Sequence, residues 1–334
     1  MSETAVGILL LVLAGVMNAN FTLPMKFTRK WAWENTWLAW AVFALLLFPP
    51  LMALFTVPDL GDVYVQSGCV PTLIVAACGL GWGIGQVFLG LAVDAIGIGL
   101  AFAIILGISA AVGSLITLVT KHADKLYTPL GMAVILGVVL VIIGVGLCAV
   151  AGRKRETVLG TGPKNVSFGR GFVLSVIAGV GSALVGLGLE WGTQIARAAK
   201  STGTPEMWRA NAIWLPLMVA GAVPNLLYCI YLIRKNKSGG GFKESGTGKY
   251  WILGAIMAVF WFGSTVLYGI SVTYLGSLGG AVGWPLYMSL IVITASLVGI
   301  LTGEWKNTGT LPIRLKLAGV AVLVIAVIVL SRAT

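Results

Sequence analysis

The chain has 334 residues, of which 58% are hydrophobic and 10% are charged, and its mean hydropathy is +0.98. Because a soluble globular protein carries about a quarter of charged residues, this composition excludes a water-soluble fold and indicates a membrane protein. The net charge of +11 is then interpreted as basic loops beside lipid, and no nucleic-acid partner is expected.

Ten apolar runs, each long enough to cross a bilayer core of about 30 Å, predict an all-α polytopic membrane protein. In chain order the predicted helices cover residues 5–24, 35–56, 71–93, 97–120, 129–151, 171–194, 209–233, 250–274, 278–302 and 314–332. The residues before the first run include Glu3 and no Lys or Arg, so we expect a retained helix and not a cleaved signal peptide.

The distribution of basic residues predicts the orientation in the membrane. Of the 22 Lys and Arg residues, 16 lie on the side of the loops that follow odd-numbered predicted helices, and 6 lie on the other side. The positive-inside rule places the richer side in the cytoplasm and both termini in the periplasm.

A weak internal similarity predicts a repeat. Shifting the chain by 179 positions aligns residues 82–97 with 261–276, with identities at Trp82/Trp261, Val87/Val266, Gly90/Gly269, Val93/Val272 and Gly97/Gly276. Since five helices per copy is an odd number, the second copy must be inverted, which predicts a 5+5 inverted repeat with a site between its halves. The predicted organisation is a first repeat at 1–151, a basic cytoplasmic linker at 152–170 and a second repeat at 171–334. A chance match between Gly- and Val-rich stretches is the alternative.

Acidic residues are almost confined to predicted loops and helix ends. Glu190 is the exception, and an ionisable group inside a span is by default a functional hypothesis, here the proton-coupling residue. The second choice is Asp94, at the end of the third predicted helix. The alternative for Glu190 is an interfacial carboxylate that is hydrated or paired with Arg197. A histidine relay is not expected, because the only histidine, His122, lies in a loop.

Polar and aromatic side chains inside the spans predict a site for a neutral sugar. Amides supply both donors and acceptors for hydroxyl groups, and indole faces can cover the apolar side of a sugar ring. The candidate substrate-binding residues from this reasoning are Asn18, Asn20, Gln86, Trp261, Ser264, Tyr268 and Trp284. Helix-to-helix hydrogen bonding and interfacial anchoring are the alternatives for the same side chains.

Enzymatic and nucleotide-driven functions find no support in the motifs. The sequence contains no HExxH, Walker loop or GxSxG with a partner histidine. Four cysteines lack the spacing of a metal site or a disulfide framework. We therefore expect no enzyme, no metal and no cofactor, with H⁺ as the coupling ion of a transporter.

Several short segments resemble one known family. They are KWxWExxW at 30–37, preceded by Phe21, Pro24 and Lys26; WGIG at 82–85, with Gly90 and Gly97; Trp284, Leu286, Met288 and Ser289; and Glu304, Trp305, Asn307 and Gly309. Spread over the chain in this order, they are similar to the L-rhamnose-proton symporter family of the drug/metabolite transporter superfamily. The resemblance implies a ten-helix inverted-repeat transporter of the bacterial inner membrane. It also implies a sugar bound centrally among helices 1, 3, 4, 6, 8 and 9, and uptake coupled to protons.

The sequence departs from enterobacterial members of that family at three candidate positions. It has Gln86, Glu190 and Tyr287 where those members have Asn, Asn and His. These departures put the exact sugar and the coupling residue in question. The hypothesis is a monomeric or weakly dimeric symporter that imports L-rhamnose or a close deoxy-sugar with protons. A drug or metabolite exporter of the same superfamily and a non-transporting membrane scaffold are the alternatives.

Overall fold

The computed structural model describes residues 2–161, 167–276 and 279–332, leaving out the side chains of residues 98 and 99. The described residues are 87% helical and contain no strand. Its α-helices are α1 (Glu3–Asn20), α2 (Trp33–Ala41), α3 (Phe48–Thr56), α4 (Leu60–Ser67), α5 (Cys69–Ile96), α6 (Ile98–Lys121), α7 (Pro129–Leu159), α8 (Phe168–Trp191), α9 (Thr193–Ser201), α10 (Asn211–Asn236), α11 (Gly248–Tyr274), α12 (Gly279–Leu301) and α13 (Thr310–Ser331).

Ten helical segments of the described chain are long and apolar enough to cross a bilayer, which confirms the predicted number of spans. They are Glu3–Phe27, Trp33–Thr56, Cys69–Ile96, Leu100–Lys121, Pro129–Leu159, Phe168–Ser201, Glu206–Asn236, Gly248–Tyr274, Gly279–Leu301 and Thr310–Ser331. The fifth extends eight residues past its predicted end at 151. Its basic end, Arg153 to Arg155, is therefore helical and not part of the predicted linker.

The second and sixth spans are each interrupted within their length. In the second, a π-helical stretch at Val42–Leu47 precedes Pro49 and Pro50. Prolines lack the N–H that would continue the α-helical ladder, so the hydrogen-bond pattern changes just before them. In the sixth, α8 and α9 are separated at Gly192, where a Cβ would meet the side chain of Ile213 and the carbonyl of Gly188.

The chain forms two compact units. Unit A comprises Met1–Val16, Gly85–Leu187 and Ser271–Thr334, and unit B comprises Met17–Ile84 and Gly188–Ile270. Within unit A, α7 packs against α6 and α13, and α12 packs against α6 and α13. Within unit B, α10 packs against α2 and α3, and α4 packs against α9. Helices α1, α5, α8 and α11 contribute residues to both units, and the 5+5 inverted repeat stays a prediction.

Contacts between loops agree with the predicted alternation of sides. Lys30, in the first loop, forms an ion pair at 3.0 Å with Glu244 of the seventh loop. Arg155 Nε, at the end of the fifth span, donates to the carbonyl oxygen of Glu304 in the ninth loop at 2.7 Å. Alternation places all these segments on one side. Which side faces the cytoplasm stays a prediction from the basic-residue count.

Close packing of α5 on α10 in unit B depends on two glycines. A Cβ at Gly79 would collide with the backbone carbonyl of Leu217, and one at Gly83 with the carbonyl of Gly221. Backbone atoms cannot rotate away as a side chain can, so we expect Gly79→Ala to cost about 1–3 kcal/mol of stability. Thermal unfolding in detergent should show a clearly lowered midpoint.

Gly90→Ala is the matched control for this prediction. Gly90 lies on the same helix, and a Cβ there would meet nothing within 4 Å. Because alanine is the better helix former, the control should unfold at the wild-type temperature or slightly above it. Equal midpoints for the two variants would refute the packing role of Gly79.

Candidate functional site

The end of α1 meets α11 through a pair of predicted site residues in unit B. Asn18 Nδ2 donates to Ser264 Oγ at 3.1 Å, and Ser264 Oγ donates to the carbonyl oxygen of Trp261 at 2.6 Å. Asn18 and Trp261 are half-buried, whereas Ser264 is fully buried. Asn20, also half-buried, follows at the last residue of α1. The structure thus brings an amide to a hydroxyl one helical turn from Trp261, and amide, hydroxyl and indole groups can all contact a sugar.

Trp261 belongs to a continuous row of five indoles in unit B. It stacks on Trp82 at 5.1 Å between ring centroids and meets Trp40 edge-on at 5.2 Å. From Trp40 the row continues to Trp37 at 4.5 Å and from there to Trp33 at 5.0 Å. Such rings offer rigid apolar faces with little conformational entropy to lose on binding.

Polar atoms accompany this row. Trp37 Nε1 donates to Asn225 Oδ1 at 3.2 Å, and Asn225 in turn donates to the carbonyl of Gly221. Trp40 is 1% exposed, and its indole N–H has no acceptor among the described residues. Tyr268, another candidate, is fully buried with its ring 6.5 Å from that of Trp214. Apolar ring faces beside a few fixed polar groups are typical of small-molecule sites.

Glu190 is half-buried at the second-to-last residue of α8, within unit B. One to two helical turns further on, Gln194 and Arg197 of α9 line a cleft of about 240 Å³ together with Gln66, Ser67 and Ala198. Gln66 Oε1 accepts a hydrogen bond from Ser201 Oγ at 2.7 Å. The acid therefore lies in the chain just before a polar cleft. The sixth span continues to Ser201, past its predicted end at 194, and the depth of Glu190 in the membrane stays a prediction.

The remaining candidates lie in unit A. Trp284 is buried, and its Nε1 donates to the carbonyl oxygen of Ser109 at 3.0 Å and to Ser109 Oγ at 3.2 Å. Its ring packs against Gly113 and Gly186, and Tyr287 meets it edge-on at 6.1 Å. These contacts give Trp284 a packing role.

Two further candidates in α5 also belong to unit A. Gln86 is half-buried and Asp94 is exposed near the C-terminal end of the helix. The candidate site residues therefore fall into two groups, one in each unit, and their assembly into a single site stays a prediction.

Comparison with known families decides the class of the protein. The model of the L-rhamnose-proton symport protein (RhaT) family matches residues 1–333. The chain belongs to the RhaT family. As a member of this family it is a multi-pass membrane transporter and not an enzyme, consistent with residence in the bacterial inner membrane.

Relatives of similar length carry the same family name. An L-rhamnose-proton symporter of Mannheimia succiniciproducens is 27% identical over 315 residues, 92% of each chain. That of Salmonella paratyphi A is 28% identical over 315 residues, again 92% of each chain. That of Cronobacter sakazakii is 27% identical over 327 residues, covering 96% of this chain and 95% of the relative.

The first RhaT-like motif, at 30–37, holds the loop between α10 and α11. Trp31 Nε1 donates to the carbonyl of Gly241 at 3.0 Å, and Glu34 accepts hydrogen bonds from Asn236 Nδ2 at 3.0 Å and Ser238 Oγ at 2.7 Å. The segment Ser238–Lys243, whose glycines alone would suggest a flexible loop, is therefore a docked 3₁₀ helix.

Two acids at helix ends of this RhaT-family chain are buried, which the sequence did not predict. Glu34 is 4% exposed at the start of the second span, and Glu156 is 6% exposed near the end of α7. Their burial was not predicted, because the predicted helix 35–56 begins after Glu34 and the predicted helix 129–151 ends before Glu156. The signal for Glu34 in the sequence was its place in the Lys-Trp-x-Trp-Glu motif. A buried carboxylate needs hydrogen-bond donors, and Asn236 and Ser238 supply them.

His122, outside the spans, has its pKa lowered from 6.5 by partial burial and then by the charge of Lys125, with Lys121 adding to this and Asp124 opposing it. The neutral ring is thus favoured at pH 7. In the unfolded chain His122 takes up its proton at a higher pH than it does in the folded protein. The free energy of unfolding therefore decreases as the pH falls from 6.5 through the folded-state pKa of His122.

We expect His122→Gln to leave the pH dependence of transport unchanged between pH 6 and 8 while reducing the loss of thermal stability below that range. Parallel sugar-uptake and unfolding measurements from pH 5 to 8 check this. A shift of the transport profile in the variant would assign His122 a part in proton coupling.

Proposed function

We propose that this protein imports L-rhamnose, or a closely related deoxy-sugar, together with protons by alternating access around a central site. The observation that carries the proposal is the hydrogen-bonded pair Asn18 and Ser264, one helical turn along α11 from the half-buried Trp261. A sugar hydroxyl can take the place of either partner in that hydrogen bond, so binding need not leave a polar group unpaired. Membership of the RhaT family and the names of the relatives support the same substrate and coupling ion.

The row of indoles supports a deoxy-sugar in particular. A deoxy-sugar such as rhamnose carries a methyl group where other hexoses have a hydroxymethyl, and an aromatic surface accommodates a methyl group without leaving a hydroxyl unsatisfied. Trp261, backed by Trp82 and Trp40, is a rigid surface of this kind. Asn18 and Asn20 would then bind the hydroxyl groups on the polar edge of the ring.

Proton coupling is assigned to Glu190 within this proposal. In the outward-open state its carboxylate takes up a proton, the sugar binds, and the protein changes to an inward-open state in which both are released. One proton moving across about 100 mV supplies about 2.3 kcal/mol, which corresponds to roughly fifty-fold accumulation. That ratio suits the scavenging of a sugar from dilute solution.

Sugar-dependent thermal stabilisation of the detergent-purified protein tests the proposed substrate. A ligand at 100 times its Kd adds about 2.7 kcal/mol of stability, so L-rhamnose should raise the unfolding midpoint and hexoses with a 6-hydroxyl should raise it less. Lipophilic cations, which an exporter of the same superfamily would prefer as substrates, serve as the comparison ligands. Stabilisation by those cations and by no sugar would overturn the proposal.

A further inference from the structure

The C-terminal half of α10 carries a groove that the proposed transport function does not use. It is a shallow, open depression of about 480 Å³, lined by Leu227, Ile230, Tyr231, Arg234 and Lys235. Their spacing of i, i+3, i+4, i+7 and i+8 places them on one stripe of the helix. Along this stripe the side chains change from aliphatic to aromatic to cationic.

The apolar part of the groove is open. Leu227 is 63% exposed and Tyr231 is 55% exposed, and both belong to a membrane-spanning segment. From Leu227 to Lys235 the helix rises about 12 Å, at 1.5 Å per residue. This distance extends from the headgroup level into the acyl region of a bilayer whose hydrocarbon core is about 30 Å thick.

The cationic part of the groove carries charge that the described residues do not neutralise. Neither Arg234 nor Lys235 has a carboxylate within 4 Å in the part of the chain that the structure describes. The nearby acids are engaged elsewhere, since Glu34 binds Asn236 and Ser238 and Glu244 pairs with Lys30. The Lys235 ammonium lies 5.7 Å from the centre of the Tyr231 ring, which holds it beside the groove.

We propose that this groove binds an anionic phospholipid. Arg234 and Lys235 hold its phosphate, Tyr231 lies at the level of the glycerol backbone, and an acyl chain packs along Ile230 and Leu227. Basic residues at the end of a span attract anionic headgroups, and an aromatic ring at the interface suits the region between headgroup and chain. A free phosphate would use only the cationic end, so the apolar length of the groove favours a lipid. In the predicted topology the lipid belongs to the cytoplasmic leaflet.

Lipid titration of the detergent-purified full chain, followed by native mass spectrometry, tests this site. Dioleoylphosphatidylglycerol should bind the wild type more tightly than dioleoylphosphatidylcholine does. The double variant Arg234→Gln, Lys235→Gln should weaken the phosphatidylglycerol complex about thirty-fold, and Lys235→Gln alone about five-fold. Thermal unfolding of each variant in the same detergent shows whether it is folded, and the exposed single substitution provides the test if the double variant is not.

Arg153→Gln, Lys154→Gln is the matched control, because it removes the same charge from exposed positions at the end of α7, on the same predicted side. It should leave phosphatidylglycerol binding unchanged. Equal loss in this control, equal affinity for the two lipids, or binding of glycerol 1-phosphate as tight as that of the lipid would each overturn the proposal.

Discussion

Replacing Glu190 by Gln should abolish uphill accumulation of L-rhamnose while exchange of labelled for unlabelled sugar continues. Glutamine keeps the size and hydrogen-bonding capacity of a protonated carboxyl group but cannot release a proton, so the sugar step is uncoupled from the proton step. At about 100 mV the expected accumulation falls from roughly fifty-fold to none. Uptake into proteoliposomes under an imposed pH gradient measures the accumulation. Counterflow without a gradient measures the exchange of labelled for unlabelled sugar.

Glu206→Gln is the control for this result. Glu206 is an exposed carboxylate on the same predicted side, 3.8 Å from Arg209, and its removal changes the charge equally. It should accumulate sugar as the wild type does. Undiminished accumulation by the Glu190 variant would remove Glu190 from the coupling role and move attention to Asp94, the second candidate.

Trp261→Ala should raise the KM for sugar by about tenfold or more in protein that remains folded. The substitution removes the half-buried ring that stacks on Trp82, one helical turn before Ser264. A loss of about 1.4 kcal/mol in binding corresponds to a factor of ten. Initial uptake rates over a range of L-rhamnose concentrations give the KM, and thermal unfolding reports the stability.

Trp33→Ala is its matched control, because Trp33 is the end of the indole row away from Trp82 and Trp261 and is 43% exposed. Its KM should stay within about two-fold of the wild-type value, a difference of about 0.4 kcal/mol. If both substitutions raise the KM equally, the row supports the fold and does not form the sugar surface at Trp261.

The spans were predictable because a bilayer sets a simple requirement of length and hydropathy, which the sequence meets ten times. The ends of the helices were harder to predict. The basic turn around Arg155 has the composition of a loop, although the helix continues to Leu159. Burial of Glu156 depends on that extra length. Helix ends are decided by hydrogen bonds and packing partners that lie far away in the sequence.

Part of the candidate site could be predicted from residue type alone. An amide and a hydroxyl inside spans indicated interhelical or substrate hydrogen bonding, and Asn18 and Ser264 do form such a bond. The sequence did not reveal that the Trp284 N–H is bonded to Ser109, or that α2 brings Trp40 and Trp37 to Trp261. These facts depend on which helices are neighbours, and hydropathy carries no information about neighbours.

Simultaneous recording of sugar and proton movement in proteoliposomes tests the central claim most directly. With a pH-sensitive dye enclosed and no initial pH gradient, inward L-rhamnose should acidify the lumen, and an imposed inward proton gradient should drive accumulation of labelled L-rhamnose. Uptake of L-rhamnose that leaves the internal pH unchanged, or the absence of any L-rhamnose uptake, would contradict the account.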